Sequence, residues 1–309
     1  MLNSFLVVGT QVLILFVLIA LGFLGGKIKI MNKDGVKCIN DIMLYFVTPC
    51  VIIHAFQREY EAQLLHNLLL AVLGAFISHA IGALLGYIFI RKQHISKKKV
   101  LRFAIIFSNC GFMAFPLINA LLGSEGLFYA AGYVAVFNLI VWSYGKFIMD
   151  GGEDGFDIKK AVLNPGVISV IVGFIMFVSR INLPEVLATP IGYMSDLNTP
   201  VAMLIIGYTI STMDLKELLN FREEALTIVL RLIVCPLLLL AVLYAVGFRG
   251  IVLVSCIVSG SAPIAATTNM FAIKYNGDEK LSSKLVAVST VFSILTMTLI
   301  VGFTQFVAM

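Results

Sequence analysis

The sequence predicts an all-α, polytopic membrane protein of ten transmembrane helices arranged as two inverted sets of five. Three features carry that expectation: the composition, the spacing of apolar runs and the placement of basic residues. Of 309 residues, 60% are hydrophobic and 13% are charged, against about 45–50% and about 25% in a soluble domain. The 22 Lys and Arg and 17 Asp and Glu are too few to cover a soluble surface of this size. The same apolar content excludes a disordered chain and a coiled coil.

Apolar runs fall at 4–26, 38–56, 65–90, 101–122, 126–149, 161–180, 187–211, 224–247, 250–273 and 284–307. Each is near the roughly 20 residues that a helical crossing needs. Strands are not expected, because the runs lack barrel alternation and an open sheet edge cannot be satisfied in lipid. The first run has no Lys or Arg ahead of it, so it is taken as a retained span rather than a secretory signal. Pro190, Asp196 and Pro200 mark where the seventh run can divide into a surface segment and a span.

Assigning alternate loops to opposite sides tests the count. Lys27, Lys29, Lys33 and Lys37, the cluster from Arg91 to Arg102, Lys146, Lys159, Lys160, Lys216, Arg222, Lys274, Lys280 and Lys284 fall on one side. Arg58, Arg180 and Arg249 fall on the other. The rich side is then cytoplasmic, and both termini are extracytoplasmic in a multi-pass protein of the cell membrane. No exposed domain carries a basic stripe, so nucleic acid is not an expected partner.

The polar, Gly-rich stretch 150–160 separates five runs from five, dividing the chain into 1–150 and 151–309. Five is odd, so related halves would enter the membrane in opposite senses, a plan common among secondary transporters.

Chemistry concentrates in the fourth and ninth spans. The fourth contains Ser108, Asn109, Gly111 and Pro116; the ninth contains Ser255, Ser259, Gly260, Ser261 and Pro263, followed by Thr267, Thr268 and Asn269. Proline lacks a backbone donor and clashes with the preceding turn, so each helix should break there. At membrane depth a break is tolerated only where it is buried in protein or lines a wet cavity. The freed amides and positive half-helix ends suit an anion, and Asn109, Ser259, Ser261, Thr268 and Asn269 can add neutral hydrogen bonds. A lone proline-kinked span is more often packing than a site; the matched positions in opposite halves favour function. Pro49, Pro200 and Pro236 are taken as simple kinks, and Gly82 with Gly86 as close helix packing.

Ionisable residues inside a membrane are costly and mark function. No pair of carboxylates falls at mid-span, which argues against a cation or proton exchanger. Arg231 is expected to reach back to the cytoplasmic interface. His79 is a proton-relay candidate, weighed against a packed neutral histidine. The five cysteines stand singly, with no CxxC or CxxH spacing, so no metal, disulfide framework or cofactor is expected.

At these residues the chain resembles the auxin efflux carrier family, which includes plant auxin exporters and bacterial transporters of malate- or malonate-like acids. The resemblance rests on Asn109-x-Gly111-Phe112-Met113-x-x-Pro116 and on the stretch from Pro263 through Phe271-Ala272-Ile273-Lys274-Tyr275-Asn276. Tyr45 to Pro49, Asn164-Pro165 and Ser289-Thr290 support it. It implies that helices four and nine are broken and cross at the membrane centre. It also implies that Asn109 contacts substrate, with Pro116 and Pro263 marking the crossing. Helices one, two, six and seven would form a scaffold, and three to five with eight to ten a moving transport unit. The short 150–160 linker resembles that of the compact bacterial members.

The expected function is a secondary transporter of a small organic carboxylate, malate-, malonate- or auxin-like, working by alternating access. The alternative is a sodium- or proton-coupled symporter of another organic anion. An enzyme would need a nucleophile with its base, or metal ligands, at membrane depth, and neither a HExxH motif nor paired aspartates are there. Beyond the anion and the lipid bilayer, a second copy of the chain in a homodimer is the remaining partner expectation.

Overall fold

The computed structural model describes residues 2–151, 162–212 and 224–308, and these are all-helical apart from turns and one isolated β-bridge. Most of the 150–160 linker, with Lys159, Lys160, Lys216 and Arg222, lies outside the described residues.

The helices are α1 Leu2–Lys27, α2 Lys33–Phe56, α3 Ala62–Phe89, α4 Ile95–Ile106, α5 Ala114–Asp150 and α6 Pro165–Val178. They continue as α7 Glu185–Asp196, α8 Asn198–Ser211, α9 Ala225–Ala245, α10 Gly250–Ser261, α11 Thr267–Lys274 and α12 Glu279–Ala308. Local chemistry sets several ends. The Asn32 side chain accepts the Gly35 amide to start α2, and Asn164 accepts the Gly166 amide ahead of α6, with Pro165 at its first position.

Among the described residues, six helices are long and apolar enough to cross a membrane: most of α1, then α2, α3, α5, α9 and α12, with α6 and α10 apolar but shorter. The chain is therefore a multi-pass helical membrane protein. The expected count of ten differs because several runs are interrupted. The fourth and ninth each contain a non-helical segment, and the seventh divides at Leu197 into α7 and α8. Between the fourth and fifth runs there is no open loop; Gly123, at φ 63° and ψ −155°, kinks α5 there. That backbone conformation is open to glycine and costly for other residues.

Pro49 and Pro236 leave the carbonyls of the preceding turn without their usual donor. Both helices respond by widening into a π turn, Met43–Val47 and Leu230–Val234, closed by the Thr48 and Cys235 amides donating to Met43 and Leu230.

Small residues bring helices together. A Cβ on Gly207 of α8 would overlap the Ile19 carbonyl of α1, and one on Gly22 would overlap the Leu204 carbonyl. The two backbones touch, and α1 packs more extensively on α8 than on any other helix. A Cβ on Gly82 of α3 would lie 2.8 Å from Ile106 Cα, seating α3 on the last residue of α4. Gly207→Val should push α1 from α8 and lower stability by about 1–3 kcal/mol or more, the usual cost of overpacking. A thermal melt of the purified variant checks this: a Tm equal to that of the parent would show that the helices separate freely.

The densest packing surrounds two stretches, Phe103–Cys110 and Val252–Ala265, in which every residue is buried. Both run into the interruptions of the fourth and ninth runs.

Candidate functional site

Between Ile106 and Ala114, and again between Ser261 and Thr267, the chain leaves the helical conformation. Buried backbone polar groups without partners cost free energy, so each gap needs donors and acceptors from elsewhere. The two gaps supply them to each other. Ser108 and Ile264 form an antiparallel bridge. The Asn109 amide donates to the Pro263 carbonyl at 2.7 Å, and the Ala265 amide donates to the Phe107 carbonyl at 3.0 Å. The Ile264 amide donates to Ser289 Oγ of α12 at 3.1 Å. Pro263 lies within its gap and uses only its carbonyl. Pro116 is the third residue of α5, where an amide would have no intrahelical acceptor, so the break lies before it.

Four helix ends meet at this junction. Helices α4 and α10 arrive with their carboxy-terminal, partially negative ends; α5 and α11 leave with their amino-terminal, partially positive ends. Arg231 covers the negative pair. It is 1% exposed. Its Nη1 donates to the Ile105 carbonyl at 3.2 Å, Nε to the Ala262 carbonyl at 3.3 Å, and Nη2 to the carbonyls of Gly260 and Ala262. The expectation that Arg231 reaches the interface is thus corrected. The guanidinium turns inward because the last carbonyls of two helices offer it a better partner than distant water. Its position on the π turn before Pro236 also corrects the view of that proline as a bare kink.

The positive pair faces open space. A cavity of about 100 Å³ is lined by the gap residues Ser108 to Phe112 and Ala265 to Thr267, with Leu44 and Thr48 of α2 and Val134, Phe137 and Asn138 of α5. None of these residues is charged. The Asn109 side chain, the Thr48 hydroxyl, and the amides of Gly111, Phe112, Ala266 and Thr267 have no hydrogen-bond partner among the described residues. Thr267 Oγ1 is buried and also has none. A Cβ on Gly111 would meet nothing within 4 Å. Donors thus converge from three elements on a space bounded elsewhere by Leu44, Phe112, Val134 and Phe137.

A family model described as membrane transport protein matches residues 7–301. The chain belongs to this family, that of the auxin efflux carriers. The transport protein is 26% identical over 295 residues to an uncharacterized transporter of Methanothermobacter thermautotrophicus, covering 93% of this chain and 95% of the other. It is 25% identical over 304 residues to one of Methanocaldococcus jannaschii, covering 93% and 96%. Auxin efflux carrier component 1 of Arabidopsis thaliana is 29% identical over 122 residues, which is 38% of this chain and 20% of that protein.

In this transport protein, Asn109 and Gly111 line the cavity, while the other residues singled out from the sequence fall around it. Pro263 holds Asn109 through its carbonyl. Pro116 is buried in the first turn of α5. Ser261 Oγ donates to the Val258 carbonyl. Ser259 and Thr268 are buried with hydroxyls unpartnered among the described residues, away from the cavity lining. Asn269 turns to α12, its Oδ1 accepting from Ser282 and Ser283. The structure adds Thr48, Asn138 and Thr267. Thr48 and Thr267 lay inside quoted motifs, but nothing in sequence singles out Asn138 on an apolar span.

His79 stands behind the cavity wall. Its Nδ1 lies 2.7 Å from the Ala75 carbonyl, and its ring packs on Phe107, Tyr133 and Phe137. Nε2 has no partner among the described residues.

Proposed function

We propose that the protein is a secondary transporter of a small organic carboxylate, working by alternating access around the junction of the two breaks. One observation carries this reading: uncommitted donors and positive helix ends converge on an uncharged cavity at the junction. Such a site suits an anion, and no carboxylate lines it to favour a metal ion or an organic cation.

In this reading the chain crosses ten times as an inverted repeat, 1–150 and 151–309, with α4–α5 and α10–α11 as the broken pair. Packing supports a division of labour. Helix α1 meets α8, and α2 meets α6 and α7, as a scaffold would; α3, α5, α10 and α12 pack together as a transport unit would. The cavity lies where α2 of the first group faces α5 and the gaps of the second. The proposed orientation has support as well. Arg58 and Arg180 line one depression, whereas Lys98, Lys99 and Arg102 share another with the end of α5. With the second group cytoplasmic, both termini are extracytoplasmic.

Purified protein in proteoliposomes should show saturable counterflow of a labelled small carboxylate. Uptake that never saturates would point to a channel and remove the carrier reading. The proton-coupled alternative rests on His79, whose Nε2 has no hydrogen-bond partner among the described residues. Collapsing the proton gradient tests it: uphill accumulation that persists assigns His79 to packing. The same assay with and without a sodium gradient tests sodium coupling, and the mass of the protein in lipid discs tests the homodimer.

A further inference from the structure

We propose that the depression between the start of α4 and the end of α5 binds the phosphate of an anionic phospholipid, with the lipid's glycerol and acyl chain laid along its apolar side. The site is separate from the junction of the two breaks and does not depend on which solute the protein carries.

The sequence of α4 sets the charge. Its first eight residues include Lys97, Lys98, Lys99 and Arg102 and no carboxylate. Lys98 and Arg102 are four residues apart, hence neighbours on one face, where like charges repel unless an anion answers them.

Tertiary contacts decide which of these cations are already committed. The Lys99 ammonium donates to the Tyr275 carbonyl. Arg102 donates from Nε to the Ile90 carbonyl at 3.2 Å, and its guanidinium lies over the Tyr87 ring at 5.4 Å. Those contacts fix the planar fork and leave both Nη nitrogens without a hydrogen-bond partner among the described residues. The Lys98 ammonium has no partner there either. A held guanidinium with an open edge, next to a mobile ammonium, matches the oxygens of a phosphate.

Both uncommitted cations line a depression of about 580 Å³. The Tyr144 hydroxyl lies in the same wall, again with no partner among the described residues. Asp150 brings a carboxylate to the lining, but its side chain is only 6% exposed and lies 3.8 Å from Lys146 Nζ. Its charge is therefore answered from within α5.

The remaining lining identifies the anion as a lipid. Ile95, Phe147 and Ile148 are apolar, and the first two are exposed. A soluble phosphate would leave them facing water, whereas a phospholipid covers them. Helix α5 is long and apolar enough to cross the membrane and ends at Asp150. Tyr144 and Phe147 then lie near the headgroups, where aromatic side chains concentrate. Basic pockets between helices at that level suit anionic headgroups, and each Lys or Arg near the surface adds to the attraction.

The purified full-length protein is titrated with short-chain phosphatidylglycerol, with phosphatidylcholine of the same chains and with glycerol 3-phosphate, following thermal stabilisation. Phosphatidylglycerol should stabilise the protein saturably, and the other two should not. No response to phosphatidylglycerol, or an equal response to phosphatidylcholine, overturns the proposal. Equal stabilisation by glycerol 3-phosphate assigns the cations to a soluble phosphate and overturns the lipid.

Lys98→Gln combined with Arg102→Gln should weaken the apparent affinity for phosphatidylglycerol by about 30-fold, the loss of two cations at a lipid surface. Lys33→Gln combined with Lys37→Gln is the matched control. It removes two exposed charges four residues apart at the start of α2 and should leave the affinity unchanged. Arg102 also holds Ile90, so Lys98→Gln alone guards against a folding defect: it should keep the parent's Tm and lose affinity by about 5-fold. Unchanged affinity in the Lys98 and Arg102 variants, or an equal loss in the control pair, overturns the site.

Discussion

Arg231→Met should abolish transport and lower the melting temperature by roughly 5–10 °C. The side chain is almost fully buried and donates to carbonyls at the ends of two different helices, Ile105 of α4 and Gly260 of α10, and to that of Ala262, which follows α10. Methionine approximates the stem of the side chain but offers no donor. The carbonyls would remain buried and unpaired, at about 1–3 kcal/mol each, and the two negative helix ends would face each other uncompensated. For a chain of this size each kcal/mol corresponds to roughly 2–4 °C or less. Arg231→Lys separates charge from geometry. A lysine keeps the cation but cannot span both helix ends with a planar fork, so it should recover part of the stability and little of the transport. Full recovery by lysine would show that charge alone matters, and an unchanged Tm for the methionine variant would show that the junction holds without Arg231.

Asn109→Ala should weaken carboxylate binding by roughly 10–100-fold while leaving the fold intact. The backbone of Asn109 is tied to Pro263 across the junction, and that bond survives the substitution because it uses the main-chain amide. The side chain lines the cavity and has no hydrogen-bond partner within the described protein, so its removal orphans nothing. What is lost is a donor to an ionised acceptor, worth about 1.5–3 kcal/mol. Thermal stabilisation by a small carboxylate that the parent carries in counterflow, compared between parent and variant of equal Tm, measures the loss. Undiminished stabilisation would remove Asn109 from the site. Asn109→Asp is the sharper control: it keeps the shape and replaces the donor with a negative charge, so it should reject the anion altogether.

Much of the fold was legible because the membrane makes strong demands on composition. Runs of apolar residues declare helices, and the boundary between the fourth and fifth runs, at 122–126, falls where the structure turns at Gly123. The breaks were legible from Pro116 and Pro263, although the first break lies several residues before its proline. Gly82 was readable as a packing residue, and the structure places it against Ile106. The site was legible only in outline. Asn109 and Gly111 stood out because polar and flexible residues are conspicuous in an apolar span. Ser261 and Asn269 stood out for the same reason, yet they bond to Val258 and to α12. Sequence reports that a polar group lies at membrane depth. It does not report which neighbour satisfies it.

Arg231 is the clearest case of that limit. An arginine two turns into a span suggests a side chain reaching for water, because in an isolated helix water is the only partner available. In the folded protein the carbonyl ends of α4 and α10 lie nearer, and the cation turns to them. Composition, spacing and proline placement by themselves determined that this is a helical membrane protein with two interrupted spans, since those properties follow from the chain and its solvent. That the two interruptions hydrogen-bond to each other, that one face of their junction is closed by Arg231, and that the other opens on Thr48, Asn138 and Thr267 was decided only by tertiary structure. Hydrogen bonds between segments about 150 residues apart depend on which helix ends are brought together, and local sequence does not encode that distance.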